Sequence, residues 1–123
     1  RQSRDFTYVT DVVNGLILGL NSKVTNEIFN LGTGKCISVN KIVRLLKGRS
    51  IFIPKRPGEP SKTLACIKKV KKQLKWKPTI TIEEGIKNLL EDIDYWKNAP
   101  IWTPSSISKA TKNWFKFLSG TNI

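Results

Sequence analysis

Gly32-Thr33-Gly34-Lys35 is the stretch whose residue types come nearest to a phosphate-binding loop. A dinucleotide fingerprint needs a third glycine at a fixed spacing, and that place holds Ile37. As a P-loop the stretch fails at both ends. Phe29 stands where the first glycine belongs, and Cys36 follows Lys35 where a hydroxyl residue belongs. The chain contains no His, so a Ser–His–Asp or Cys–His arrangement cannot form within it. Neither Tyr8 nor Tyr95 is followed by a lysine four positions on. Cys36 and Cys66 lie far apart, and without His they cannot build a four-ligand zinc site. They read as free, mostly buried thiols of a reducing cytoplasm. The chain is therefore expected to hold no catalytic residue, no cofactor site and no metal site of its own.

Charge is the strongest compositional signal. The 123 residues carry a formal net charge of +13, spread over both halves, which predicts affinity for polyanions or phosphate-bearing ligands. Lys68, Lys69, Lys71, Lys72, Lys75 and Lys77 form a row that keeps a basic nucleic-acid-binding module alive as a rival reading, beside a plain interaction module. No aromatic residue interleaves with that row before Trp76, and no known nucleic-acid signature appears, so a solvated helix face is the better account. The longest apolar run is too short to cross a membrane, and no membrane partner is expected. With no Met, and with Arg1-Gln2-Ser3-Arg4-Asp5 reading as the lead-in to a strand, the chain is expected to be an internal piece of a longer one.

The elements that must position any site alternate between strand-like and helical, as in an α/β domain. Phe6 to Val9 reads as a strand. Thr10 or Asp11 then caps a helix with Val12, Val13, Leu16, Ile17 and Leu20 at helical spacing, in which Gly15 and Gly19 permit close packing. Glu27 to Leu31 reads as a buried strand closed by the Gly32–Gly34 turn. Ser38 caps a second helix that stops at Lys47-Gly48. Ser50 to Ile53 is a third strand running into an extended Arg56-Pro57-Gly58-Glu59-Pro60 loop. A third helix spans about 67–74 with Ile67, Val70 and Leu74 inward. Thr81 and Glu84 make a capping box for a fourth, whose stripe is Ile82, Ile86, Leu89, Leu90, Ile93 and Trp96. Pro104 opens a last packing helix with Ile107, Ala110, Trp114, Phe117 and Leu118 inward. The whole is a small mixed α/β domain of short strands and about five helices, with residues 97–123 as a helical extension.

Three stretches, in order, resemble the extended short-chain dehydrogenase/reductase family of NAD-dependent nucleotide-sugar epimerases and dehydratases. They are Arg4-Asp5-Phe6-Thr7-Tyr8-Val9-Thr10-Asp11-Val12-Val13; Phe29-Asn30-Leu31-Gly32-Thr33-Gly34 with Ser38-Val39; and Arg56-Pro57-Gly58-Glu59-Pro60, followed by Thr63, Leu74, Trp76, Pro78 and Glu84-Gly85. The resemblance covers roughly residues 1–96 and matches the family's C-terminal, substrate-binding half. It implies that the chain completes a Rossmann-type enzyme whose absent N-terminal half holds NAD and the catalytic Tyr and Lys. It implies UDP-glucose 4-epimerase-like work on a nucleoside-diphosphate sugar, in the first place a UDP-sugar. Arg4 and Arg56 would meet the diphosphate, and Glu59 would accept from the ribose hydroxyls. A guanidinium presents a planar fork of donors to phosphate oxygens, while a carboxylate only accepts. Asp11 is expected to cap its helix and Trp76 to join the core; a plain surface ion pair with Asp5 is the alternative to a ligand role for Arg4. Thr10 and Cys66 stand where family members often carry Asp. Without the other half, the chain is expected to expose apolar surface and self-associate.

Overall fold

The computed structural model describes residues 2–52 and 58–118. Its elements follow in the order β1 (Ser3–Arg4), α1 (Val9–Leu20), β2 (Ile37–Ser38), α2 (Val39–Leu45), α3 (Lys68–Gln73), α4 (Ile82–Glu91), a 3-10 turn at Ile93–Trp96, and α5 (Pro104–Leu118). β1 and β2 pair antiparallel with Ser3 opposite Ser38 and Arg4 opposite Ile37. On its other edge Ser3 forms a parallel bridge to Lys62, through Ser3 N–H to Ser61 O (2.9 Å) and Thr63 N–H to Ser3 O (3.2 Å). None of the helices among the described residues is long and apolar enough to cross a membrane.

Local chemistry sets three of the helix starts among the described residues. Ser38 Oγ accepts from Lys41 N–H (3.2 Å) to start α2, and Thr81 Oγ1 accepts from Glu84 N–H (3.2 Å) to start α4. Pro104 occupies the first turn of α5, where Thr103 Oγ1 accepts from Ser106 N–H and Ser106 Oγ accepts from Thr103 N–H. The end of α2 differs from the sequence expectation. Lys47, not Gly48, takes the left-handed conformation (φ 51°), and Gly48 N–H closes the turn onto Val43 O (3.1 Å).

The predicted strands differ more. Phe6 to Tyr8 is irregular, the strand falls at Ser3–Arg4, and α1 already begins at Val9. Residues 27–31 and 50–52 make no ladder, and Ile53 lies outside the described residues. A strand needs a neighbour to satisfy its backbone. In 27–31 the side chains still alternate as a strand's would: Phe29 and Leu31 turn to the core while Ile28 faces outward.

Ile67, Val70, Leu74 and Trp76 form the buried core, with Val24, Phe29, Leu31 and Ala65 packed on it. The lysines of α3 occupy its outer face, where Lys69 pairs with Glu27 (2.5 Å) and lies over the Phe29 ring. α1 is turned contrary to its apolar pattern. Its buried positions are Asp11 and Gly15, whereas Leu16 (64% exposed) and Leu20 (85%) face outward with Val9, Val13 and Ile17. Gly15 abuts Leu31 and the Trp76 indole, so an added Cβ would lie 2.7 Å from Leu31. Gly19 has open space beside it and serves no close packing.

Asp11 explains that orientation. It does not cap α1; the cap position is Tyr8, which makes no side-chain cap bond. Only 1% exposed, its carboxylate accepts from Thr79 N–H (3.0 Å), Thr79 Oγ1–H (2.7 Å) and Ile80 N–H (3.1 Å). Its own carbonyl accepts from the Trp76 indole N–H (2.9 Å). Burial alone would push the carboxyl up; the bonds to its charged form outweigh burial and hold it below the ordinary 3.8.

A carboxyl whose folded-state pKa is depressed stabilises fully above its unfolded value, and that stability is lost as pH falls through the folded value. Asp11→Ala is therefore expected to cost about 2–4 kcal/mol at neutral pH, because two N–H groups and a hydroxyl lose their acceptor. It should also flatten part of the acid limb. Urea midpoints taken from neutral pH down to about pH 2 check both. A variant as stable as the parent would show that the clamp contributes nothing.

Candidate functional site

β1 carries Arg4 and, immediately after it, Asp5, and the two side chains have different tasks. Arg4 Nη1 donates to Ser3 O (2.8 Å), and its Nη2 lies 3.5 Å from Glu59 Oε1. Both side chains are half-buried, at 24% and 14% exposure. Glu59 reaches Arg4 because the loop that bears it runs, two residues later, into the 61–63 segment paired with Ser3. Gly58, at φ 73°, turns the chain just ahead of it, in a conformation that favours glycine. The structure thus brings together two of the three residues singled out from sequence. The third, Arg56, lies outside the described residues. Cys36 Sγ adds a bond to Ser3 Oγ (3.1 Å) on the same strand.

An ion pair of this exposure is worth at most about 1 kcal/mol. A ligand phosphate is a stronger partner for a guanidinium than this carboxylate at 3.5 Å. Glu59 in turn holds the guanidinium in place.

Asp5 is the residue sequence reasoning underrated. Its carboxylate accepts from Thr33 N–H (2.7 Å), Thr33 Oγ1–H, Gly34 N–H (2.9 Å) and Ala65 N–H (3.2 Å). Burial pushes this carboxyl up, but the bonds from Thr33, Gly34 and Ala65 prevail and hold it low. It is not Arg4's partner. The Gly32–Gly34 turn therefore does not fit a dinucleotide, since the N–H groups that would cradle a pyrophosphate are taken by the protein's own carboxylate. A polar residue ending a strand, and a glycine turn with donors to fill, were the available signals; their meeting is a long-range fact. Of the two free cysteines, Cys36 is half-buried and Cys66 exposed, so neither is the buried thiol expected.

No family model matches the chain. It is 41% identical over 93 residues to a UDP-glucuronate 4-epimerase of Thermodesulfobacterium geofontis, covering 70% of this chain and 28% of that protein. It is 35% identical over 91 residues to UDP-glucuronic acid decarboxylase 1 of Xenopus tropicalis, covering 69% and 21%. Among solved structures it matches a UDP-glucose 4-epimerase of Thermotoga maritima with UDP-glucose, at a TM-score of 0.70 and 35% identity, over 76% of this chain and 32% of that one. The chain thus spans about a third or less of the length of these relatives.

The Asp5 clamp has a steric requirement. At Gly32 an added Cβ would sit 2.4 Å from the Ala65 Cβ and 2.8 Å from Asp5 Oδ2. Gly32→Ala must therefore open the clamp and is expected to destabilise by about 2–3 kcal/mol, measured by denaturant unfolding. Gly19→Ala, with open space around it, should be neutral or stabilise by up to about 1 kcal/mol. Equal effects at the two glycines would refute the clamp.

Proposed function

Because the chain belongs to the extended short-chain dehydrogenase/reductase family of NAD-dependent nucleotide-sugar epimerases and dehydratases, we propose that it is the substrate-recognition portion of such an enzyme. The observation that carries this reading is the convergence of Arg4 and Glu59, from a strand and a loop 55 positions apart, at 3.5 Å. In this reading Arg4 and Arg56 hold the diphosphate of a UDP-sugar through their forks, and Glu59 leaves Arg4 to accept from the ribose hydroxyls. NAD, held by a Rossmann half outside this sequence and by no residue of this chain, would supply the hydride chemistry at a sugar carbon. The residues of this chain fix the nucleotide end, so that the sugar is held still relative to that half. The free thiols of Cys36 and Cys66 agree with a reducing cytoplasm.

The outward stripe of α1 supports a docking partner, since Val9, Val13, Leu16, Ile17 and Leu20 form one exposed apolar face, with Ile28 exposed nearby in sequence. We assign this face to the Rossmann half, and residues 27–31 to the edge of its sheet. On its own the chain should cover the stripe by self-association. Sedimentation velocity at rising concentration is expected to show association that Leu16→Glu weakens. A monomer at every concentration would count against the assignment.

The nucleotide-sugar and nucleic-acid readings part at Arg56. In the enzyme reassembled with its Rossmann half, Arg56→Lys keeps the charge and loses the fork. It should weaken UDP binding by on the order of 1–3 kcal/mol. Lys71→Gln with Lys72→Gln, on the outer face of α3, should barely change it. A nucleic-acid binder would respond oppositely, with the lysine changes lowering affinity for a short duplex and flattening its salt dependence. Calorimetry of both variants against UDP and against duplex decides, and dominance of the lysine changes would overturn the proposal.

A further inference from the structure

α5 does not pack as the sequence suggested. Ile107, Thr111 and Phe115 are half-buried along one flank, while Ala110, Trp114 (40% exposed) and Phe117 (72%) face outward beside them. The helix makes no extensive contact with any other element among the described residues. Ahead of it, Ile101 and Trp102 are also exposed.

The charges are ordered around this helix. At roughly 100° per residue, Lys109, Lys112 and Lys116 fall within one narrow sector, opposite the side that carries Ile107 and Trp114. From Tyr95 to Leu118 there is no acidic residue. The Lys116 ammonium sits 5.8 Å from the Phe117 ring centre, so its stem runs back toward the aromatic side.

Three occupants would suit an exposed apolar flank, and the charge pattern separates them. A second copy of α5 would cover the flank but leave the lysines, which lie on the far side, with nothing to meet. Single-stranded nucleic acid asks for cations and stacking rings on the same face, whereas here Trp114 lies opposite the lysines and only Lys116 meets a ring, that of Phe117. An anionic lipid surface asks for this arrangement: tryptophan and phenylalanine at the boundary between headgroups and chains, with lysines above drawn to the surface potential. We propose that α5, with Ile101 and Trp102, is an interfacial helix that seats the protein on an anionic membrane. The expectation of no membrane partner rested on the shortness of the apolar runs, and a helix lying in the interface needs no long run. The proposal is independent of the nucleotide-sugar reading, because it uses none of that site's residues.

The test is co-sedimentation of the full chain with phosphatidylcholine vesicles, with and without about one third phosphatidylserine, at physiological salt. Binding is expected only with phosphatidylserine. Lys109→Gln, Lys112→Gln and Lys116→Gln together should weaken it at least ~10-fold, and Phe117→Ser should weaken it several-fold. Lys68→Gln, Lys71→Gln and Lys72→Gln together should change it less than twofold, although they remove the same three charges from α3. These positions are all exposed, and circular dichroism verifies that each variant stays folded. No vesicle binding, equal binding to both vesicle types, or a larger effect of the α3 lysines would each overturn the proposal. So would self-association that Phe117→Ser abolishes in the absence of vesicles.

Discussion

A buried carboxylate with no cation beside it among the described residues holds this small structure in shape. Asp11 sits in the first turn of α1 and takes hydrogen bonds from Thr79 and Ile80, nearly seventy positions later in the chain. An ionised group removed from water is tolerated only where donors replace the lost hydration. Here they are two backbone N–H groups and a hydroxyl, and the Trp76 indole bonds to the carbonyl of the same residue. α1 is therefore fixed in rotation by a polar residue. Its Gly15 side rests on Leu31 and Trp76, and its apolar stripe is presented outward.

Asp5 repeats the device at the other end of the same stretch. It gathers Thr33, Gly34 and Ala65, and so ties β1 to the glycine turn and to the approach of α3. With Asp5 turned that way, Arg4 is left to the side where Glu59 arrives. The charged groups thus divide the labour: Asp5 and Asp11 organise backbone, and Arg4 and Glu59 form a weak pair on a half-buried surface. Beyond them, Lys41 joins Glu83 at 2.6 Å and links α2 to α4.

The lysine rows of α3 and α5 also differ in meaning once placed in space. The α3 row is the outer side of a helix whose inner side is the core, with Lys69 held by Glu27 and Phe29. On α5 the lysines oppose a flank that carries exposed apolar side chains. Composition alone registers both as the same positive charge.

Local signals were legible in the sequence because their physics is local. Ser38, Thr81 and Pro104 mark helix starts that depend on bonds three residues away, and Ile67, Val70 and Leu74 repeat at the period of a helix that has one buried side. The three ordered stretches also sufficed to identify the family. Tertiary structure decided whatever required partners far along the chain. Phe6 to Val9 and 27–31 have strand-like residues, but a strand is defined by the chain beside it. Asp11 looked like a cap because caps are the common use of an acid at a helix start, and only the fold brings Thr79 and Ile80 to it. Arg4 and Glu59 were named one by one from sequence. Their approach to 3.5 Å was settled by the pairing of Ser3 with the segment after Glu59, a contact that residue types do not encode and backbone geometry does.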